Sequence, residues 1–118
     1  MRAIPFAFLL LGAVVAAQAP GAADPKVQQG KQVFDYWCAS CHGTGERMPG
    51  TVALQAKYNG SKPALLEERT DLEPALTRTF VRKGAFIMPF FRKTEVTDAD
   101  LDALAAYLAR TVRPPAGR

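Results

Sequence analysis

Sulfur and imidazole are scarce in this chain, whose 118 residues hold two cysteines and one histidine. That scarcity excludes a structural zinc site, which takes four ligands that are almost always Cys or His. No internal repeat, second domain or low-complexity stretch is visible. The longest apolar run, residues 5 to 17, is interrupted by Pro5 and Gly12 and falls short of the roughly 20 residues a membrane-spanning helix needs. The formal net charge of +4 is too modest to imply nucleic acid.

The scarce residues are all in one place. Cys38-Ala39-Ser40-Cys41-His42 has the C-x-x-C-H order of a c-type haem attachment site. Two thiols at this spacing add across the two vinyl groups of a haem as thioethers, and the adjacent imidazole then binds the iron axially. A thioredoxin-like dithiol would need a strand before the motif and a βαβ pattern around it, and neither is found. A plain disulfide leaves His42 without a purpose.

Residues 1–23 read as a secretory signal peptide: Arg2 near the start, an apolar centre, and small residues at the exit. Cleavage after Ala19 would place Pro20 beyond the cut, so the expected sites run from Ala17 to Ala23. Export to the periplasm with removal of this leader is favoured over an uncleaved anchor. Residues 24–118 then form one small domain of roughly 95 residues. A chain that short has little core of its own, and a covalent haem would supply apolar volume and cross-links. The haem-free chain is therefore expected to be poorly ordered.

Helical periodicity dominates the rest. Val27, Gly30, Phe34 and Trp37 recur at three- and four-residue steps and lead into the motif; Gly30 lowers helix propensity and so marks close approach of another helix. Gly43 to Gly50 reads as a loop, Thr51 to Tyr58 as a short helix closed by Asn59-Gly60, and Pro63 to Arg69 as another short helical piece. Asp71 is read as the cap of a helix running to Lys83, with Leu72, Leu76 and Phe80 on its inner side and Gly84 after its end. Thr97 caps a last helix whose Leu101, Leu104, Ala105 and Leu108 share one face, and Tyr107 is expected to pack near Gly30 and Phe34.

Between Glu73 and Glu95 no acidic residue occurs, while Arg78, Arg82, Lys83, Arg92 and Lys93 fall in that interval. This reads either as a basic surface that steers an acidic partner or as an ordinary solvated face. Beyond the initiator, Met48 and Met88 are the only thioethers able to complete a Met/His iron site of the electron-transfer type. Met48, six residues after His42, would need a tight wrap to reach the opposite face of a haem. Met88 arrives from a distant loop stiffened by Pro89 and is preferred. Phe86, Ile87, Phe90 and Phe91 are expected to exclude water around it.

In order and spacing these features resemble the class I cytochrome c family. The resemblance rests on Gly30 and Phe34, then Cys38, Cys41 and His42, then Met88-Pro89, then Tyr107-Leu108. It implies an all-α fold of four to five helices around one covalent haem c, with Met88 opposite His42 and the first and last helices in contact. It also implies a backbone carbonyl near Met48-Pro49 accepting the His42 ring N–H. More narrowly, Arg47 to Gly50, Arg69 to Leu72 and Met88 to Glu95 are similar to the cytochrome subunits of p-cresol methylhydroxylase-type flavocytochromes. That likeness implies a flavoprotein partner acting on 4-alkylphenols and a downstream electron acceptor. The expected role is single-electron transfer, without catalysis by this chain. A free shuttle to a terminal oxidase and a five-coordinate haem sensor or enzyme are the alternatives.

Overall fold

The computed structural model describes residues 24–112; the leader expected over 1–23 lies outside them. Five α-helices follow in order: α1 Pro25–Trp37, α2 Ala39–His42, α3 Pro49–Tyr58, α4 Pro74–Lys83 and α5 Asp98–Ala109. A single 3-10 turn, Leu66–Glu68, interrupts the passage from α3 to α4. No β-strand occurs among the described residues, and none of their helices is long and apolar enough to cross a membrane.

Crossing of α1 over α5 makes the core. Asp24 caps α1 by accepting the Lys26 N–H, and Thr97 caps α5 by accepting the Asp100 N–H, so each helix starts with a satisfied donor. Leu101, Ala103, Leu104, Ala105, Tyr107 and Leu108 are buried along α5, against Gly30, Val33 and Phe34 of α1. A Cβ added at Gly30 would lie 2.6 Å from the Cβ of Tyr107 and overlap the Ala103 backbone, which is why the crossing carries glycine. Phe34 and Tyr107 stack in a tilted arrangement with centroids 5.9 Å apart, as their expected contact required.

The helix after Asp71 departs from expectation twice. Its first residue is Pro74, preceded by Glu73, while Asp71 pairs instead with Arg69 and Lys62 at 2.6 Å each. A buried guanidinium needs a counter-ion more than a helix needs a side-chain cap, and Arg69 is 4% exposed. In α4 itself, Thr77 and Val81 are buried on α5, whereas Leu76 and Phe80 are about 40% exposed. The four-residue apolar step therefore does not mark the face that meets α5. Only Leu72, ahead of the helix, joins the core.

Two boundaries also move. Pro49 and Gly50 belong to α3 instead of to the loop, because proline is tolerated at the first helical position. Of the helical piece expected over 63–69, only the 3-10 turn forms. The αL Asn59 ends α3 where the Asn-Gly signal placed it.

Four of the five cations of the expected basic surface are paired within the chain, but with three carboxylates, so the surface keeps a positive excess. Arg82 and Lys93 both reach Asp98, at 2.9 and 2.7 Å, Arg78 pairs with Asp102 at 2.8 Å, and Arg92 with Glu95 at 3.3 Å. Of that interval only Lys83 lacks an acidic partner among the described residues. The cations fasten α4 and the loop after it to the amino end of α5, where carboxylates already favour the helix dipole.

Candidate haem site

The C-x-x-C-H motif is continuous with the core helix. The Cys38 N–H donates to the Phe34 carbonyl at 2.9 Å, and the Cys41 and His42 N–H groups both donate to the Cys38 carbonyl, at 3.1 and 2.8 Å. Phe34 is 1% exposed, so the three reactive residues ride on a short helix rooted in the most buried part of the molecule. Cys38 packs partly against the core and Cys41 is exposed; both thiols are free.

His42 is wedged against α3. A Cβ at Gly50 would fall 2.7 Å from the ring Cε1 and 2.8 Å from Nδ1, so only glycine admits the helix this close. Nδ1 is buried without a hydrogen-bond partner, which leaves Nε2 as the nitrogen for an iron. The carbonyl expected near Met48-Pro49 does not reach that ring nitrogen; the Met48 carbonyl accepts the Val52 N–H at 2.9 Å. Because α3 starts at Pro49, this carbonyl serves as the first acceptor of the helix. Burial pushes the imidazole below its ordinary value, favouring the neutral form that ligates metals.

The two methionines sit on different supports. Met48 immediately precedes α3, on the side where Gly50 meets His42, and its Cε lies toward Gly45. Met88 follows α4 in a tight turn: the Ala85 N–H donates to the Met88 carbonyl at 3.1 Å and the Met88 N–H to the Ala85 carbonyl at 2.9 Å. Met88 is half-buried against the core cluster, as is Phe91, whose ring meets Trp37 edge-on at 5.8 Å. Phe86, Ile87 and Phe90 do not enclose Met88 as expected. They are exposed, Phe86 completely, because the two-residue turn leaves its tip with nothing to pack on.

The donor set fits a covalent haem better than its rivals. No group of three or more His, Cys, Asp or Glu among the described residues is arranged to hold a bare metal ion. The strand that a thioredoxin-like dithiol requires is missing among them too. An apolar stripe of Leu76 and Phe80, unused by the core, runs along α4 toward the Met88 turn and suits a flat apolar ligand. Residues 25–108 match the family described as cytochrome C oxidase, cbb3-type, subunit III. The chain belongs to that family. It is a cytochrome c domain, and its cofactor is covalent haem c. Electron transfer is the chemistry of such a domain. No curated protein and no solved structure matches the chain.

The Met88 turn is what sequence reasoning missed. Phe86 adopts φ 52°, a left-handed backbone uncommon for a bulky side chain. Its only signal in the sequence is Gly84 followed by the apolar run from Ala85 to Met88.

Proposed function

We propose that this cytochrome c domain is an exported, periplasmic one-electron carrier with His42 and Met88 as axial ligands and Cys38 and Cys41 as thioether anchors. The observation that carries the reading is the rooting of Cys38, Cys41 and His42 on one short helix tied to Phe34. When bound, haem c supplies a Fe(III)/Fe(II) couple that takes up and releases single electrons. The chain's own contribution is positional. Gly50 holds the imidazole edge in place, burial keeps the ring neutral, and the Ala85–Met88 turn offers a thioether from a separate element. Were His42 and Met88 both to hold the haem iron, no position would be left for oxygen or peroxide, so a carrier is preferred to a sensor or an enzyme.

As electron donor we propose a flavoprotein of the p-cresol methylhydroxylase type, oxidising 4-alkylphenols and passing electrons singly to this chain and on to another carrier. Sequence likeness around Met48, Asp71 and Met88 supports this. The family's name refers to an oxidase subunit, which favours a second reading in which the chain passes electrons to a terminal oxidase, here as a free shuttle. Co-purification of an active flavoprotein supports the first; an active monomer reducing an oxidase alone supports the second.

The coordination is tested by spectra of the ferric haem-loaded protein beside Met88→Ala and Met48→Ala. Only Met88→Ala should lose the thioether-to-iron charge-transfer band and bind carbon monoxide tightly when reduced. Loss in Met48→Ala alone overturns the assignment, and a negative pyridine haemochrome assay overturns the haem itself.

A further inference from the structure

Tyr36 and Trp37, the last residues of α1, meet almost perpendicularly, with ring centroids 5.0 Å apart and planes at 78°. Tyr36 is 77% exposed and takes no part in the core. Val33 and Gln29 continue the same face one and two turns back along the helix, and Asp100 of α5 adjoins it, leaving a groove of about 300 Å³. Phe91 meets the Trp37 ring edge-on, which steadies that wall. The haem is framed by α2, α3, the Leu76 and Phe80 side of α4 and the Met88 turn, and none of these lines the groove. It is a separate site.

Charge selects the occupant. Three carboxylates stand near the start of α5, and two of them, Asp98 and Asp102, lie one turn apart on the side where Arg82, Lys93 and Arg78 pair with them. Asp100, two residues from each, falls on the other side of the helix. It has no cationic partner among the described residues; its oxygens accept from the Thr97 hydroxyl at 2.7 Å and the Gln29 amide at 3.0 Å, both neutral donors. Thr97 first, and then Gln29, hold the carboxyl below its ordinary value, so its charge persists at neutral pH. A half-buried anion beside two π faces, each negative over its ring, calls for a positive guest. A divalent metal ion is unsuited, since calcium or magnesium takes six or more oxygen ligands and Asp100 is the groove's single carboxylate. We infer that this groove binds a small methylated-ammonium solute, its cationic head seated among Tyr36, Trp37 and Asp100. Such a head spreads its charge over methyl groups, which aromatic faces accept, and the groove volume lies at the lower end of small-molecule sites. The site lies outside the electron-carrier role and stands whichever residue completes the iron coordination.

The probe is tetramethylammonium chloride, titrated into the reduced haem-loaded protein while the indole N–H of Trp37 is followed by nuclear magnetic resonance. The chain has one tryptophan, so the signal identifies itself. A saturable shift in the millimolar range is expected, with none from potassium chloride or from tert-butanol, a neutral molecule of similar shape. Tyr36→Ala and Asp100→Asn should each weaken binding about fivefold to tenfold and leave the visible spectrum and helical circular dichroism unchanged, whereas Asp98→Asn should bind as wild type does. A shift that stays linear, or one that tert-butanol reproduces, overturns the inference. So does equal weakening in Asp98→Asn, which would make the effect one of overall charge. Binding to phosphatidylcholine vesicles that Tyr36→Ala abolishes would replace the free solute with a lipid head group.

Discussion

Gly30 of α1 and Tyr107 of α5 approach so closely that a Cβ on the former would sit 2.6 Å from the Cβ of the latter. The obstacle is backbone and Cβ, not the flexible end of a side chain, so neither helix can yield without parting from the other. Gly30→Ala should destabilise the haem-loaded protein by at least about 3 kcal/mol, the upper range for an overpacked core, or prevent folding. Urea denaturation followed by far-ultraviolet circular dichroism measures it. A loss below about 0.5 kcal/mol, typical of a surface change, would contradict the close crossing.

Gly84 combines a positive φ of 70° with a Cβ position 2.6 Å from the Met88 carbonyl. Gly84→Ala should push the turn aside and abolish the thioether-to-iron band while leaving helical circular dichroism near wild type. Gly60→Ala is the control, since Gly60 has φ 83° and open space around it. It should cost only about 1 kcal/mol of backbone strain and leave the spectrum unchanged. Retention of the band in Gly84→Ala counts against Met88 as the ligand.

Acid should act through Asp71. The Arg69 guanidinium, and then Lys62, hold its carboxyl well below the usual carboxylate range. A folded-state value depressed below the unfolded one, near 3.9, gives stability that is present above about pH 4 and lost as pH falls further. Asp71→Asn should remove about 1 kcal/mol at pH 7, a figure kept low because the carboxylate is 39% exposed. It should also flatten the stability profile below pH 4, as urea midpoints at successive pH values would show. An unchanged acid profile would show that Arg69 does not depend on this partner.

Alkali should act through Tyr107, whose phenol donates to the Glu67 carboxylate under the Arg110 guanidinium. Burial, and then Glu67, push the phenol up from 10.0 to about 12. The folded state therefore keeps its proton longer than the unfolded chain, and stability falls as pH rises from about 10 toward 12. Tyr107→Phe should lose less stability over that interval than wild type, by up to about 2 kcal/mol. Parallel profiles for the two proteins would refute the linkage.

What the sequence displayed and what it concealed divide along a physical line. Thr97 and the face of Leu101, Leu104, Ala105 and Leu108 were legible because capping and burial are both local to one helix. Cys38, Cys41 and His42 were legible because covalent attachment demands contiguity. The inner face of α4 was not: Leu76 and Phe80 outweigh Thr77 and Val81 in apolarity, yet α5 takes the latter pair. Periodicity identifies a stripe without saying what meets it. Asp71 and Asp98 were likewise obscured, since a carboxylate near a helix start can serve a cap, a dipole or an arginine: Asp71 pairs with Arg69 two residues away, and only the folded chain brings Arg82 to Asp98.

The supports of the two proposed iron ligands differ in mechanical compliance. His42 hangs from Phe34 through the Cys38 carbonyl and is blocked by Gly50, whereas the segment beyond Met88 is tied back by the Phe91 N–H to the Val81 carbonyl at 2.8 Å and by Arg82 to the Phe91 carbonyl at 3.0 Å. Because the Ala85–Met88 turn between these ties carries exposed Phe86 and Ile87, its side is expected to give first under rising denaturant. The iron would change colour while the α1–α5 crossing still stands, making the visible spectrum an early gauge of strain in the α4 half of the molecule and a late one for the rest.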